Sequence, residues 1–368
     1  MMDYKIDILV SDAFGGFGGI SEYNRNLICA IAAIPQVSSV RVTPRIIQDK
    51  DFTCPEKVFV DATSANGTMR FLLQRAKAIH NHPPDLVICG HINLLPLSLL
   101  TSWRYQVPHV LQIHGIEAWN PTRRLLVDHC AKRLLNIFSV SKTTADRFQA
   151  WTGTNARTRY WIIPNTFADN RFYPGPKPPD LSVRYGVENS WVILTLGRLD
   201  SEKRGKGFDA VLDAMPKVLE TIPNAIYIIA GDGPDTDRLR KKAQILGISQ
   251  FVRFAGRVKD AELRDHYLLA DVFAMPSRGE GFGIVLLEAM ACGVPVIGSL
   301  LDGTKDALMN GKIGKLVNPD YPETLINALN ESYHSGFSRN PPDALRNFNF
   351  YNFSSRVGEA ILGVLESH

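Results

Sequence analysis

Short, almost wholly apolar runs alternate with longer amphipathic stretches from the first residues of the chain onward. The runs predict strands at 6–10, 40–47, 85–90, 109–113, 136–141 and 160–164, with helices between them at 19–34, 67–81, 121–135 and 142–150. A Pro- and Gly-rich break at 173–180 interrupts the series, which restarts with strands at 191–198, 225–233, 252–258, 272–277 and 295–298. Strands apolar on both faces and joined through helices belong to parallel sheets covered on both sides. Two such series predict an α/β protein of two doubly wound, Rossmann-like domains, residues 1–170 and 171–351, facing each other across a cleft. A last helix, about 352–368, stands apart from the second series and is expected to pack back on the first domain. Ligands of such sheets bind beyond the carboxyl ends of the strands, so the loops there are where chemistry is sought.

Composition changes this picture little. With 368 residues, 45% hydrophobic and 21% charged, the chain is long enough for two cores and excludes coiled-coil, collagen-like and disordered classes. The formal charge of +4 is uneven: residues 1–170 hold 18 Lys/Arg against 13 Asp/Glu, the remainder 23 against 24. An excess of that size without clustering argues against a nucleic-acid partner, but it suits a phosphorylated substrate or an anionic membrane surface. Five cysteines, an odd number with no close pair, argue against a disulfide framework or a zinc site and for a reducing compartment. Asp3, Lys5 and Asp7 interrupt any apolar leader. Leu86 to Trp103 carries no charge, but Gly90, His91, Asn93 and Pro96 make it strand, loop and new helix rather than a membrane span. The expected location is cytoplasmic, with peripheral contact at the inner face of a membrane compatible with the basic first half.

The chemistry-bearing loops are more specific. Ser277-Arg-Gly-Glu280-Gly-Phe-Gly283-Ile-Val-Leu-Leu-Glu288 runs from a strand through a Gly-rich loop into a helix that Gly293 ends. The free N–H groups of Phe282, Gly283, Ile284 and Val285 at the helix start suit a phosphate. Glu288, inside the helix, can accept two hydroxyl hydrogen bonds from a ribose. Glu280, ahead of the helix, can meet a substrate group. Arg198 and Lys206 flank the loop after the first strand of the second domain, where two cations can hold a diphosphate and stabilise it as a leaving group. In the first domain, Gly15-Gly16-Phe-Gly18-Gly19 follows the first strand; its glycines admit either a close backbone approach or a tight turn. His114 follows the strand 109–113 and is placed to touch substrate. No metal site is expected. Asp235-Thr-Asp237 mimics an Asp-x-Asp motif but falls in a first helical turn, where acids complement the dipole. His80-Asn-His82 lacks a third ligand. The four cations of Arg123-Arg124 and Lys132-Arg133 fall on all sides of a helical wheel, a poor amphipathic pattern.

Together these motifs resemble glycosyltransferase family 4, retaining enzymes of the GT-B fold, over nearly the whole chain. The resemblance rests on the Gly18-Gly19 loop, His114-Gly115, Ile163-Pro164-Asn165-Thr166, Phe172-x-Pro174, Gly197-Arg198-Leu199 with Lys206-Gly207, Gly231-Asp-Gly-Pro234 and the Glu280/Glu288 pair. It implies a nucleotide sugar held mainly by the second domain and an acceptor by the first. It assigns Arg198 and a lysine to the diphosphate and Glu288 to the ribose, and places Glu280 and His114, as catalytic residues, around the donor sugar. Val258, Gly18 and Gly19 complete the donor-binding set. In two places the chain departs from the family pattern. The lysine loop is long, so Lys203 and Lys206 compete, and Leu301-Asp302-Gly303-Thr304 stands where paired glycines are usual.

The resulting expectation is a metal-independent hexosyltransferase without a cofactor. Its donor is a nucleotide diphosphate sugar, with UDP-sugars ahead of GDP-mannose. Its acceptor is a sugar or lipid-linked sugar in cell-envelope or exopolysaccharide assembly. The alternatives are a sugar-nucleotide epimerase of similar build, a non-catalytic sugar-nucleotide binder, and a nicotinamide oxidoreductase, the last disfavoured by the missing G-x-G-x-x-G fingerprint.

Overall fold

A computed structural model describes residues 3–153, 157–202, 204–336 and 339–367. The chain divides into two compact units, Met1–Thr166 with Phe350–His368, and Phe167–Asn349. Among the described residues no helix is long and apolar enough to cross a membrane.

The first unit is built on β1 (Tyr4–Val10), α1 (Gly19–Ala32), β2 (Val37–Pro44), β3 (Val58–Val60), α2 (Thr68–Asn81), β4 (Leu86–Cys89), α3 (Leu95–Tyr105), β5 (His109–Ile113), α4 (Leu125–Ala131), β6 (Asn136–Ser139), α5 (Lys142–Thr152) and β7 (Arg159–Ile162). All seven strands are parallel, in the order β3-β2-β1-β4-β5-β6-β7, so the winding direction reverses between β1 and β4. Leu9, Val87, Cys89, Leu111, Ile113 and Ile137 alternate off these strands into one core with Phe148 of α5. Asp7, the charge inside β1, is not a surface interruption: it is buried and ion-paired with the buried Arg75 of α2, which also reaches Thr101. The segment 121–135 is helical only over Leu125–Ala131, because Arg123 adopts a left-handed φ of 62° that a helix cannot continue.

The second unit comprises α6 (Pro179–Tyr185), β8 (Trp191–Leu196), α7 (Phe208–Thr221), β9 (Ala225–Ala230), α8 (Thr236–Ile245), β10 (Val252–Gly256), α9 (Leu263–Leu269), β11 (Val272–Ala274), α10 (Ile284–Ala291), β12 (Val296–Ser299), α11 (Thr304–Ala307), β13 (Lys315–Val317) and α12 (Pro322–His334). Its parallel order is β10-β9-β8-β11-β12-β13, with the reversal between β8 and β11. Ile193, Tyr227, Ile229, Ala274 and Ile297 meet α7 and α12 in the core. Both units thus have the doubly wound α/β architecture that strand–helix alternation predicts. The final helix, α13 (Phe350–Leu365), belongs to the first unit. Its buried Phe353 meets Tyr23 of α1 edge-on at 5.8 Å, and Val357, Ile361 and Val364 continue the same buried stripe.

His109, the first residue of β5, gives the first unit a pH dependence. Its ring lies 2.9 Å from Ser98 Oγ, and burial drives its pKa down to about 3. The folded unit therefore holds it neutral, while the unfolded chain protonates it below about pH 6.5. Stability is expected to fall as pH drops from 6.5 towards 3, by about 1.4 kcal/mol per unit for this one group. Urea unfolding from pH 7.5 to 4.5 should show this slope reduced by one proton in His109→Asn. Equal slopes would mean that the ring is solvated.

Candidate active site

The site in the second unit is assembled from loops at the carboxyl ends of β8, β11 and β12. Gly207 caps α7 in a left-handed conformation (φ 88°), and a Cβ there would stand 2.7 Å from Pro276 O. The Gly205 carbonyl accepts the Arg278 N–H at 2.7 Å. The backbone of 205–207 is thus pressed against 276–278, and Lys206 is carried to Glu280, with which it forms a direct ion pair. Both side chains keep partial solvent access. The loop after β12 closes on the other side. A Cβ on Gly303 would meet Gly281 O at 1.9 Å, and the Gly303 N–H donates to Glu280 O at 2.8 Å.

Asp302 holds these loops in register. Fully buried, it accepts the Ser277 hydroxyl at 2.7 Å and the Glu280 N–H at 2.9 Å on Oδ2, and the Thr304 hydroxyl at 2.7 Å and N–H at 3.1 Å on Oδ1. Burial raises its pKa while these donors pull it back, so the carboxylate is satisfied where a lone buried charge would not persist. Asp302 therefore fixes the backbone that presents Glu280. The sequence marked this position only as a departure from paired glycines, and nothing in the pattern told that its carboxylate turns inward.

Gly283 caps α10 with φ 92°, so the helix starts at Ile284. The first turn of a helix spends no N–H on its own carbonyls, which leaves Ile284 and Val285 free to donate to an anion. The Phe282 side chain is buried against Phe348, with ring centroids 5.6 Å apart, and anchors the approach. Glu288 is buried on the same helix and accepts the Tyr267 hydroxyl at 2.6 Å. Burial, then the adjacent carboxylate, lifts the Tyr267 pKa well above its ordinary value, so it remains a donor. Tyr267 lies 21 positions upstream on a separate helix, α9, where no spacing ties it to Glu288. Arg198, two residues past β8, is exposed, and Val258, two residues past β10, is half-buried. Lys203 lies outside the described residues. Asp235 is ion-paired with Arg238 at 2.6 Å, which also takes Asp209 at 2.6 Å. Among the described residues no group of three or more His, Cys, Asp or Glu is placed to hold a metal ion.

In the first unit, Gly18 caps α1 at the carboxyl end of β1, and Gly18 and Gly19 are exposed. His114 follows β5 and is buried; its Nε2–H donates to Gly90 O at 3.1 Å, and its ring meets Tyr23 edge-on at 5.2 Å. Glu117 accepts the N–H groups of His114 and Gly115 at 2.6 and 3.2 Å. Burial lowers the His114 pKa against the opposing pull of Glu117. The ring is therefore held neutral and oriented, which suits a hydrogen-bonding group better than a charged one.

Glu288→Gln is expected to weaken nucleotide binding by about 1–3 kcal/mol, the range for hydrogen bonds to a charged group. Calorimetric titration checks this; unchanged affinity would take Glu288 off the ribose.

A family model described as Glycosyltransferase Family 4 matches residues 17–171, and one described as Glycosyl transferases group 1 matches residues 182–347. The chain is 31% identical over 233 residues to the GDP-mannose-dependent alpha-(1-6)-phosphatidylinositol monomannoside mannosyltransferase of Mycolicibacterium smegmatis, covering 60% of each chain. It is 42% identical over 138 residues to the phosphatidyl-myo-inositol mannosyltransferase of Mycobacterium tuberculosis, covering 37% of this chain and 35% of that one. The chain thus matches between about a third and three-fifths of the length of these relatives. Among solved structures, Anabaena HepE in complex with UDP superposes with a TM-score of 0.75 at 21% identity, over 98% of this chain and 100% of that one. That likeness establishes the fold.

Proposed function

The chain belongs to glycosyltransferase family 4, and on that premise we propose that it transfers a hexose from a nucleoside diphosphate sugar to a hydroxyl acceptor with retention of configuration. The observation that carries the reading is the Lys206–Glu280 ion pair beside the start of α10, on the helix that also buries Glu288. The second unit supplies what a donor needs: a carboxylate for ribose hydroxyls, helix N–H groups and cations for the diphosphate, and Glu280 for the sugar. As the bond from the sugar carbon to the diphosphate breaks, negative charge grows on the leaving oxygen. Lys206, Arg198 and the α10 N–H groups stabilise that charge. The acceptor oxygen bonds to the same carbon, and its proton passes to the departing phosphate oxygen. His114 is proposed to act on the donor sugar and the Gly18-Gly19 turn to bind the donor, as the family resemblance implies, while the acceptor is a sugar or lipid-linked sugar of envelope glycan assembly.

GDP-mannose is the first donor to test, since the 31% identical relative of Mycolicibacterium smegmatis is named for it, and UDP-sugars come next. A metal-independent reaction is proposed because Lys206 and Arg198 supply the positive charge and Asp235 of the Asp235-Thr-Asp237 motif is committed to Arg238. The test is release of nucleoside diphosphate from each donor in the presence of a lipid-linked acceptor, with and without EDTA. Turnover should persist in EDTA. Loss in EDTA with restoration by manganese or magnesium would contradict the cation-based mechanism, and no release from any donor would contradict the transfer itself.

A further inference from the structure

Leu199 and Asp209, which bracket Lys206 in the chain, are both held by the turn after β9 and by α8, the helix that follows it. The buried Leu199 donates its N–H to Asp232 O at 3.1 Å, and its carbonyl accepts the Asp235 N–H at 3.2 Å. A Cβ on Gly233 would stand 2.1 Å from that carbonyl, so only glycine lets the turn close on it. Asp209, in the first turn of α7, accepts Arg238 of α8 on both oxygens, at 2.8 and 2.6 Å. The same guanidinium reaches both oxygens of Asp235 through Nε and Nη2, at 2.7 and 2.6 Å. Asp235 stands at the start of α8 but caps none of its N–H groups; its buried carboxylate faces Arg238, with Arg204 at 3.6 Å. Lys242, one turn further along α8, adds to Asp209 at 2.8 Å and to Asp213 at 2.7 Å. Burial alone would raise the Asp209 pKa, yet Arg238 and Lys242 bring it down to about 2.

We infer that Arg238 is a positioning residue for Lys206: by bridging Asp235 and Asp209 it fixes the start of α7 against the turn that holds Leu199, and so sets where the Lys206 ammonium stands as the diphosphate departs. Its Nε, Nη1 and Nη2 all donate to the two carboxylates, so Arg238 acts through Lys206 rather than on the donor. Two carboxylates gripped by one planar fork also explain why the residue is arginine, since a lysine carries the charge without the fork. The inference rests on the role proposed above for Lys206.

The test is release of nucleoside diphosphate from saturating GDP-mannose or UDP-glucose by Arg238→Met, made in the parent and in Lys206→Ala, each variant checked for folding by circular dichroism. In the parent, Arg238→Met should lower turnover roughly tenfold, within the roughly 10²-fold that a misplacement of about 1 Å can cost. The nucleoside diphosphate dissociation constant should move by less than about threefold. In Lys206→Ala the same substitution should cost less than about twofold, because a lysine that is gone cannot be misplaced. A purely structural role would lower both backgrounds alike. Arg238→Lys should recover only part of the loss. Asp209→Asn, which keeps the side-chain volume, should repeat the pattern and serves where Arg238→Met does not fold. Asp213→Asn, one turn along α7, should stay within about twofold. With Lys206→Ala crippled, equal losses in both backgrounds or no loss in the parent would overturn the role of Arg238 alone. Normal turnover in Lys206→Ala, or no turnover of either sugar nucleotide by the parent, would overturn the role of Lys206 and this inference with it.

Discussion

Replacing Lys206 by alanine is expected to lower turnover at saturating donor by roughly 10²–10³-fold, the usual loss for one preorganised charge-stabilising donor. The lysine leaves a glycine-flanked turn, and its backbone is locked against 276–278, so its ammonium needs little rearrangement to meet a diphosphate. In the donor-free chain the ammonium rests on Glu280. Both groups are partly solvated, so losing the pair should cost little stability. Because charge on the departing diphosphate is greatest in the transition state, the loss should fall on turnover rather than on donor affinity. Lys203→Ala, three positions earlier in the sequence, should stay within about tenfold. The comparison requires both variants to match the parent in circular dichroism. If Lys203→Ala is the crippled variant and Lys206→Ala works normally, the diphosphate is held by the other lysine.

Glu280→Ala should lower turnover by roughly 10²-fold or more, on the scale of a removed group that acts on the reacting centre. Its effect on nucleoside diphosphate affinity should have the opposite character. Without the carboxylate, Lys206 has no internal partner to leave before it meets a diphosphate, so affinity should be unchanged or tighter. Paired measurement of turnover and of nucleoside diphosphate dissociation constant separates the two. A collapse of diphosphate affinity with normal turnover at saturation would remove Glu280 from the sugar.

The frame of both units was legible because buried parallel strands read as continuous apolar runs, and the runs outlast any local ambiguity. The strands that the pattern missed, Val58–Val60 and Lys315–Val317, are three residues each, too short for any periodicity to register. Unit boundaries fall at Thr166/Phe167 and Asn349/Phe350, a few residues from 170/171 and 351/352, since a change of contact partner leaves no mark in composition. In the site, Glu280 and Lys206 were visible as charges between glycines, and Glu288 as the single charge inside an apolar helix. Their supports were not. Tyr267 and Asp302 are distant in sequence from what they hold, and only the folded backbone makes them neighbours of Glu288 and Glu280. Arg75 was equally hidden: a cation on an amphipathic helix reads as surface, whereas here it is buried on Asp7.

The most direct measurement is calorimetric titration of GDP-mannose, UDP-glucose and their nucleoside diphosphates into the full chain and into Glu288→Gln. The account predicts that one base is bound at a single site by the parent, as diphosphate and as sugar nucleotide. It predicts that Glu288→Gln weakens both forms together by about 1–3 kcal/mol. Absence of binding by every nucleotide, or binding that Glu288→Gln leaves untouched, would contradict the placing of the donor on α10.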